Sequence, residues 1–409
     1  MSVQQTASTF SVGELPEIDV FSAEFRSTPW EVARRALADS PNGLARSTRG
    51  IEAITYQACH TLFSDRRLKI GFDEMYAATG FDGSSAVFRS AVTSINNLEG
   101  DQHRNLRTVL GGYFNREWVQ ALRPTVNAII EDLVHGFGPG EPVDLAAEFT
   151  PKIPSRLFTR LIGVPLADAE FLERMSDLLL TVVYMDPANN ESIEAAYREL
   201  ADYVNGLIED KQRTPGDDVV SYLLAAERAG TISRHDVVVN TTALLRASTD
   251  TTSGQLGLVL AELANRPDLW KLCHADPAVI PAAVMEAVRW RTGAWSILRI
   301  AREELEVLDT VIPAGTELFG LAVTAHRDQD AYPEPELFRV DRKRPKPTLN
   351  WGMGLHYCLG KPIAQVEMEE AVRVLTRRWA EIDFATPFET RGEPFTSQPA
   401  RMEMAFSVR

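Results

Sequence analysis

The stretch Trp351-Gly-Met-Gly-Leu-His-Tyr-Cys358-Leu-Gly360 decides the fold of this 409-residue chain, because it places one cysteine among glycines directly before a helical pattern. The apolar residues at helical spacing that follow are Ile363, Val366, Ala371, Val372 and Leu375. We therefore expect Cys358 at the positive end of a helix dipole, where a thiolate is favoured over a thiol. This position makes Cys358 the predicted reactive group of the chain.

The glycines of this loop indicate what the thiolate binds. Gly352, Gly354 and Gly360 allow the backbone to pass close to a flat, bulky group and to adopt left-handed conformations that other residues avoid. A haem face is such a group. One cysteine without Cys or His at finger spacing cannot build a tetrahedral zinc site, whereas a single thiolate is a complete proximal ligand for haem iron. The alternative is that Cys358 is an ordinary buried small residue.

With these residues the chain resembles the cytochrome P-450 family of haem-thiolate monooxygenases, whose signature is Phe-Gly-x-Gly-x-His/Arg-x-Cys-x-Gly. The resemblance implies a mainly α fold with a small β region, a triangular helical prism with a long central helix over haem b (iron protoporphyrin IX). Trp351 stands where the family usually has Phe against the proximal sulfur. Its indole N–H either donates to the thiolate and weakens its push on the iron, or finds a backbone carbonyl as an aromatic filler.

Two further motifs are similar to the family's and lie in the required order. Glu286-Ala-Val-Arg289 resembles Glu-x-x-Arg, which in the family locks onto a meander arginine, here Arg342, so we interpret these three as a structural brace. His103 and Arg107 resemble the family's His-x-x-x-Arg, with both cations on one helical face. Haem propionates need cationic partners, and the resemblance implies that Arg299 and His356 complete this clamp.

The longest predicted helix begins with a capping box at Ser233 and Asp236 and ends before Asn265-Arg266-Pro267. Its flanks are apolar, but its centre reads Ala247-Ser-Thr-Asp-Thr-Thr-Ser-Gly254. Ser and Thr hydroxyls compete for helical carbonyls, so this segment can open locally and admit water. It resembles the family's Ala-Gly-x-Asp/Glu-Thr-Thr, with Ala247 at the haem and Asp250 and Thr251 as the catalytic acid and alcohol that relay protons to dioxygen. Ser248 replaces the usual Gly.

Arg246 is unexpected, because the residue before that alanine usually projects toward substrate and is apolar in the family. Two interpretations stand. Arg246 anchors a substrate carboxylate or carbonyl, since an unpaired buried guanidinium is costly, or it forms an i, i+4 pair with Asp250 that restrains the acid.

The resemblance places the other substrate contacts at Thr249, Ala294, Trp295, Ile297 and Phe395 and in the loop around 81–97. Trp295 and Phe395 offer flat apolar surface, so we expect a semi-rigid aromatic or amide-bearing metabolite. Two helices, 171–183 and 192–213, are expected to roof the pocket as a lid. Alternation in 51–55 and 305–312 predicts strands.

Composition indicates the size of the core, the class of partner and the cellular compartment. With 44% hydrophobic and 24% charged residues the chain can bury a large core, and its net charge of −15 argues against nucleic acid as a partner. Three cysteines without disulfide-like spacing fit a reducing compartment, so we expect a cytoplasmic protein without a membrane span. We predict a flexible segment at 1–14 and one domain over 15–409. No flavin segment is recognised, so the resemblance implies a ferredoxin and its reductase as electron donors.

The predicted function is a monooxygenase that uses dioxygen to hydroxylate or otherwise oxidise a small organic molecule, in secondary metabolism. Two alternatives remain open. A family member can instead catalyse radical coupling, ring formation or nitration with nitric oxide while keeping the same motifs. A haem-thiolate sensor or carrier would bind a ligand without turnover.

Overall fold

The computed structural model describes residues 10–40, 42–184 and 186–407. Most of them are helical, and the strands form small sheets, as predicted. The predicted flexible segment 1–14 lies outside the described residues up to position 9, and residues 10–14 form a strand and a 3-10 helix. No helix of the described residues is long and apolar enough to cross a membrane.

The α-helices of the described residues are α1 Ala23–Ser27, α2 Pro29–Leu37, α3 Tyr56–Ser64, α4 Phe72–Ala78, α5 Ala86–Thr93, α6 Gly100–Tyr113, α7 Arg116–Ala121, α8 Arg123–His135, α9 Leu145–Glu148, α10 Lys152–Ile162, α11 Ala169–Leu180, α12 Asn190–Arg213, α13 Val219–Arg228, α14 Arg234–Ser248, α15 Asp250–Ala264, α16 Pro267–Ala275, α17 Ile280–Trp290, α18 Ala322–Ala325 and α19 Lys361–Arg378. The strands are β1 Phe10–Ser11, β2 Leu44–Ser47, β3 Gly50–Ala53, β4 Leu68–Lys69, β5 Val143–Asp144, β6 Ser296–Ala301, β7 Leu305–Val307, β8 Thr310–Ile312, β9 Glu317–Leu321, β10 Glu381–Phe384, β11 Glu389–Arg391, β12 Gln398–Arg401 and β13 Glu403–Ser407.

The chain divides into two compact units, each built from several segments. Unit 1 comprises residues 1–71, 288–358 and 392–397, and unit 2 comprises residues 72–287, 359–391 and 398–409. The prediction of a single domain over 15–409 stays a prediction.

Unit 1 is organised around a five-stranded sheet in the order β2-β3-β9-β6-β4. The central pair β3 and β9 runs parallel, and β6 pairs antiparallel with β9. The strand predicted at 51–55 is present as β3, whereas the strand predicted over 305–312 is wrong as a single element, because a turn at Leu308 and Asp309 divides it into the antiparallel pair β7 and β8. Leu308 and Asp309 turn this hairpin with φ of 51° and 56°, the left-handed geometry that a two-residue turn between twisted strands requires. Two apolar clusters cover the sheet, one of them around Phe25 and Trp295.

Unit 2 holds most of the helices and a second core rich in aromatic rings. Trp379 stacks on Phe406 with a ring-centroid separation of 4.2 Å, and the indole N–H of Trp270 donates to the Trp379 carbonyl at 3.2 Å. These side chains are almost completely buried, so the polar N–H needs the partner that it has. The predicted roof helices are α11 and α12, joined by 3-10 turns.

The long helix predicted from Ser233 is present as two helices. The capping box is confirmed: the amide of Asp236 donates to the Ser233 hydroxyl, and the Asp236 carboxylate accepts from the Ser233 amide. The helix is interrupted at Thr249, where φ is −96° and ψ is −68°, and resumes as α15. The prediction of a single unbroken helix over this range was therefore wrong. The local interruption expected from its hydroxyl-rich centre is confirmed.

Candidate active site

The cysteine loop contains two 3-10 turns, Leu349–Trp351 and Gly354–His356, and is closed by backbone hydrogen bonds. The amide of Cys358 donates to the Trp351 carbonyl at 2.9 Å, which fixes the cysteine at the end of the loop. Gly352 and Gly354 have φ of 66° and 69°, as their predicted left-handed conformation requires. Cys358 is half-buried and stands three residues before α19 begins.

The left-handed conformation predicted for Gly360 is wrong. Its φ is −80°, an ordinary right-handed value, and it serves as the N-cap of α19. Gly354 has a steric reason to be glycine as well, since a Cβ there would lie 2.8 Å from the carbonyl oxygen of Phe63. The loop thus needs glycine at two of the three predicted positions for its backbone conformation.

The indole N–H of Trp351 is shielded from solvent and has no hydrogen-bond partner among the described residues. The backbone carbonyl expected for an aromatic filler is therefore not observed. A buried donor without an acceptor costs about 1–3 kcal/mol. The N–H of Trp351 is thus available to an acceptor that belongs to the cysteine site.

Arg299 supplies the strongest indication of an anion in unit 1. Its side chain is 3% exposed, one N–H donates to the carbonyl of Leu298 at 2.8 Å, and the guanidinium carbon lies 5.1 Å from the centre of the Phe63 ring. Burial lowers the pKa of Arg299 to about 10. A buried guanidinium in these surroundings requires an anion, and a haem propionate is one. With the half-buried His356 and Cys358 in the same unit, the residues present fit haem.

In unit 2, α6 carries the other two predicted propionate partners. His103 is 2% exposed and Arg107 is half-buried, one turn apart on the same face of the helix. Burial, and then the charge of Arg107, lower the pKa of His103. A neutral His103 can donate one hydrogen bond to a carboxylate, and Arg107 supplies the charge.

The predicted catalytic pair lies beside the helix interruption, with Thr251 exposed and Asp250 half-buried. Ala247 and Thr251, on either side of Thr249, are exposed although the helical segments around them are largely buried. The Thr251 hydroxyl donates to the Ala247 carbonyl at 3.0 Å. Burial raises the pKa of Asp250, and the charge of Arg391 opposes this. An acid whose pKa is raised is better suited to exchange protons near neutral pH.

Arg246 does not pair with Asp250, and no ion pair involves it in the part of the chain that the structure describes. Its Nη1 donates instead to the hydroxyl of Tyr76 at 2.6 Å, and the guanidinium lies 5.9 Å from the ring centre of Phe72. The i, i+4 interpretation fails because Thr249 interrupts the helix between the two residues. Tyr76 and Phe72 were not predicted from the sequence as contacts of Arg246, although their spacing of four on a short helix places them on the same helical face.

The predicted substrate contacts of unit 1 divide into two groups. Ala294 forms a β-bridge with Thr396, and the amide of Trp295 donates to the Phe395 carbonyl at 3.0 Å, so these segments lie together. Phe395 and Ile297 remain half-buried. Trp295 is a correction: its side chain is 7% exposed and packs edge-on against Phe25 in the core, at 6.2 Å between ring centres.

Thr249 is a second correction among the predicted substrate contacts. Its side chain is 2% exposed, and its hydroxyl donates to that of Ser176 on α11. Thr249 therefore ties the helix interruption to a roof helix of unit 2, and its hydroxyl faces away from solvent.

The predicted brace has a clear geometry in unit 1. Arg289 and Arg342 both donate to the carbonyl of Leu337, at 3.2 and 2.6 Å, and Arg289 also donates to the His326 carbonyl at 2.9 Å. Glu286 is 5% exposed, on the same helix as Arg289. These contacts hold backbone together and expose no reactive group.

Comparison with known proteins identifies the family of the chain. The family model described as cytochrome P-450 matches residues 169–379. Luteothin monooxygenase of Streptomyces thioluteus is 28% identical over 97% of the chain and 98% of its own length, and vitamin D3 dihydroxylase of Streptomyces griseolus is 30% identical over 89% and 90%. The solved structure of CYP109Q5 from Chondromyces apiculatus, 24% identical, superposes with a TM-score of 0.85 over 97% of the chain and 99% of that protein.

Proposed function

The chain belongs to the cytochrome P-450 family, and from this premise we propose how its own residues perform the reaction of a haem-thiolate monooxygenase. The enzyme is of the bacterial type found in secondary metabolism. Haem b, when bound, supplies the activation of dioxygen, of which one atom enters a small organic substrate while the other leaves as water. The observation that carries the proposal is an exposed Thr251 beside half-buried Asp250, whose pKa burial raises, at the interruption of an otherwise largely buried helix.

Cys358 is the residue that would ligate the iron. Its place before the N-terminus of α19 favours the thiolate, and the left-handed glycines before it let backbone approach a flat ring closely. Arg299 and His356 of unit 1 would bind a propionate. His103 and Arg107, one turn apart on α6, are proposed for the same role. In this arrangement the buried charge of Arg299 gains the partner that it needs.

Asp250 and Thr251 would deliver protons. The Thr251 hydroxyl is exposed and can rotate away from the Ala247 carbonyl, to which it donates at 3.0 Å, toward a water or a reacting oxygen. Asp250, with its raised pKa, takes a proton from solvent and passes it on through water. Ser248 is half-buried and donates to the Leu245 carbonyl at 3.1 Å, so its hydroxyl is less accessible to this relay than that of the exposed Thr251.

The finer assignments extend from the same premise. Electrons would come from a separate ferredoxin and ferredoxin reductase, and a reducing cytoplasm fits the free cysteines Cys59, Cys273 and Cys358. Half-buried Phe395 and Ile297, together with Ala294, would contact the substrate in unit 1. Trp351 would donate its free N–H to the Cys358 sulfur.

The test uses the purified holoenzyme with a surrogate ferredoxin and reductase. The reduced, carbon-monoxide-treated protein should absorb at the long-wavelength position diagnostic of thiolate ligation, and Cys358→Ser should lose that band. Turnover of a candidate metabolite under oxygen-18 gas should place one labelled atom in the product. A product without label identifies coupling or ring formation, and ligand binding without any turnover identifies a sensor or carrier.

Thr251→Ala tests the relay within that enzyme. We expect electrons to be consumed at a similar rate but to appear as hydrogen peroxide, with product per electron reduced by about tenfold or more, in line with the usual size of general acid catalysis. Thr251→Ser keeps the hydroxyl and should remain coupled. Equal coupling in the alanine variant and the wild type would contradict the assignment of Thr251.

A further inference from the structure

Arg246 is a half-buried cation that the proposed reaction does not use. A guanidinium has five N–H donors, and in the described residues its polar contact is one hydrogen bond to the hydroxyl of Tyr76. Tyr76 is itself fully buried, and Phe72 covers part of the guanidinium. The protein therefore holds this charge in one place while leaving most of its donors unused.

A small cavity opens beside the guanidinium, entirely within unit 2. Its walls come from α5, α11, α12 and α14 and include Val87 and Leu179 as apolar surface, with Ser90, Tyr197 and Thr242 as polar groups. Its volume is about 10 Å³, the room of a single water-sized group. The space suits one terminal oxygen of a ligand whose body lies outside it.

None of the described residues that line this cavity is acidic. The neighbouring acid on α12, Glu194, is already bound: its carboxylate accepts from the Ser85 hydroxyl at 2.6 Å and from the amides of Ala86 and Val87 at 3.0 and 3.3 Å. Asp250, four residues along the chain, is not paired with Arg246 either. The surroundings thus offer hydroxyl groups and a positive charge, a combination that accepts an anionic oxygen.

We propose that Arg246 and Tyr76 form the anchor for a carboxylate on the substrate, which names the substrate class of the monooxygenase and rests on that function. The carboxylate accepts from free guanidinium N–H groups of Arg246, while the bond to Tyr76 fixes the side chain on α14. Arg246 immediately precedes the exposed Ala247, so the anchor lies in the same turn of α14 as that residue. Arg246 is a specificity-determining residue and takes no part in proton transfer.

The experiment measures binding of a matched series of probes to the ferric holoenzyme. Omega-imidazolyl alkanoic acids of increasing chain length, and the primary amides of the same acids, bind haem iron through imidazole and shift the Soret band. We expect one chain length at which the acid binds at least about tenfold more tightly than its amide, the size of a hydrogen bond to a charged group in a partly buried site. Arg246→Met should bring that ratio to about one, and Arg246→Lys should retain part of it.

Arg234→Met is the matched control, since Arg234 lies on the same helix but is exposed and paired with Glu227 at 2.8 Å. It should leave the acid-to-amide ratio unchanged. Equal affinities of acids and amides for the wild type at every chain length would overturn the anchor, as would a preference that persists in Arg246→Met. The Soret band of the ferric protein reports bound haem before any probe is added. A protein without that band contradicts the haem enzyme and not the carboxylate anchor.

Discussion

Replacing Arg299 by methionine should release haem faster and yet stabilise the haem-free protein. Burial lowers the pKa of Arg299 from its ordinary value to about 10, which corresponds to about 3 kcal/mol of unfavourable burial that an anion must offset. Leu298 contributes only a neutral carbonyl, and Phe63 only a ring face. A charge-assisted hydrogen bond to a propionate is worth about 1.5–3 kcal/mol, so haem release should accelerate by roughly 10- to 150-fold.

Transfer of haem to excess apomyoglobin, followed by absorbance, measures the release rate. Thermal unfolding of the haem-free protein measures the second effect, which should be a higher midpoint for Arg299→Met than for the wild type. Arg67→Met is the control, because Arg67 is exposed in the same unit and paired with Asp65 at 2.6 Å, and it should change neither quantity. If methionine disturbed the packing instead, haem would be released faster and the unfolding midpoint of the haem-free protein would fall. An unchanged rate of haem release would refute the propionate role of Arg299.

Two further outcomes follow from buried groups. Burial raises the pKa of Glu367 from 4.5 to about 8, so the folded state keeps a proton that the unfolded chain releases. The free energy of unfolding should therefore fall by up to about 1.4 kcal/mol per pH unit between about pH 4.5 and 8. Thermal unfolding of Glu367→Gln should show no such dependence on pH. Trp351→Phe should lower the haem reduction potential by roughly 40 mV, since losing a hydrogen bond of about 1 kcal/mol returns electron density to the sulfur. An unchanged potential in spectroelectrochemical titration would make Trp351 a filler.

The parts of the fold that local chemistry determines could be predicted from the sequence. The capping box at Ser233 and Asp236 marked the start of α14 to the residue, because both of its hydrogen bonds lie within four residues. The helix after Cys358 was equally visible as periodicity, whereas alternation over 305–312 did not reveal the turn that divides this range into β7 and β8. The cysteine loop was recognisable for the same reason, since its glycine conformations and its ligand occupy ten consecutive positions.

Predictions that assumed an uninterrupted helix were wrong at Thr249, where the backbone departs from helical geometry. The pair of Arg246 and Asp250 had the right spacing, but i, i+4 neighbours face each other only on an uninterrupted helix. Thr249 departs from helical geometry between them, and its hydroxyl bond to Ser176 replaces bonding within the helix. The same hydroxyl-rich composition that predicted an opening of the helix was thus evidence against an ion pair between Arg246 and Asp250.

Side chains that act on a substrate proved harder to assign than those that act on the cofactor, and the reason is distance along the chain. Trp295 could be a pocket wall or a core residue by its strand position alone, and only Phe25, 270 residues earlier, makes it core. Arg246 became interpretable only through Tyr76, 170 residues away. The cysteine loop is built from turns of consecutive residues, whereas the predicted substrate-facing surface is assembled from distant segments. A change at Tyr76 should therefore alter which molecules bind while leaving the haem spectrum of the ligand-free enzyme as it is.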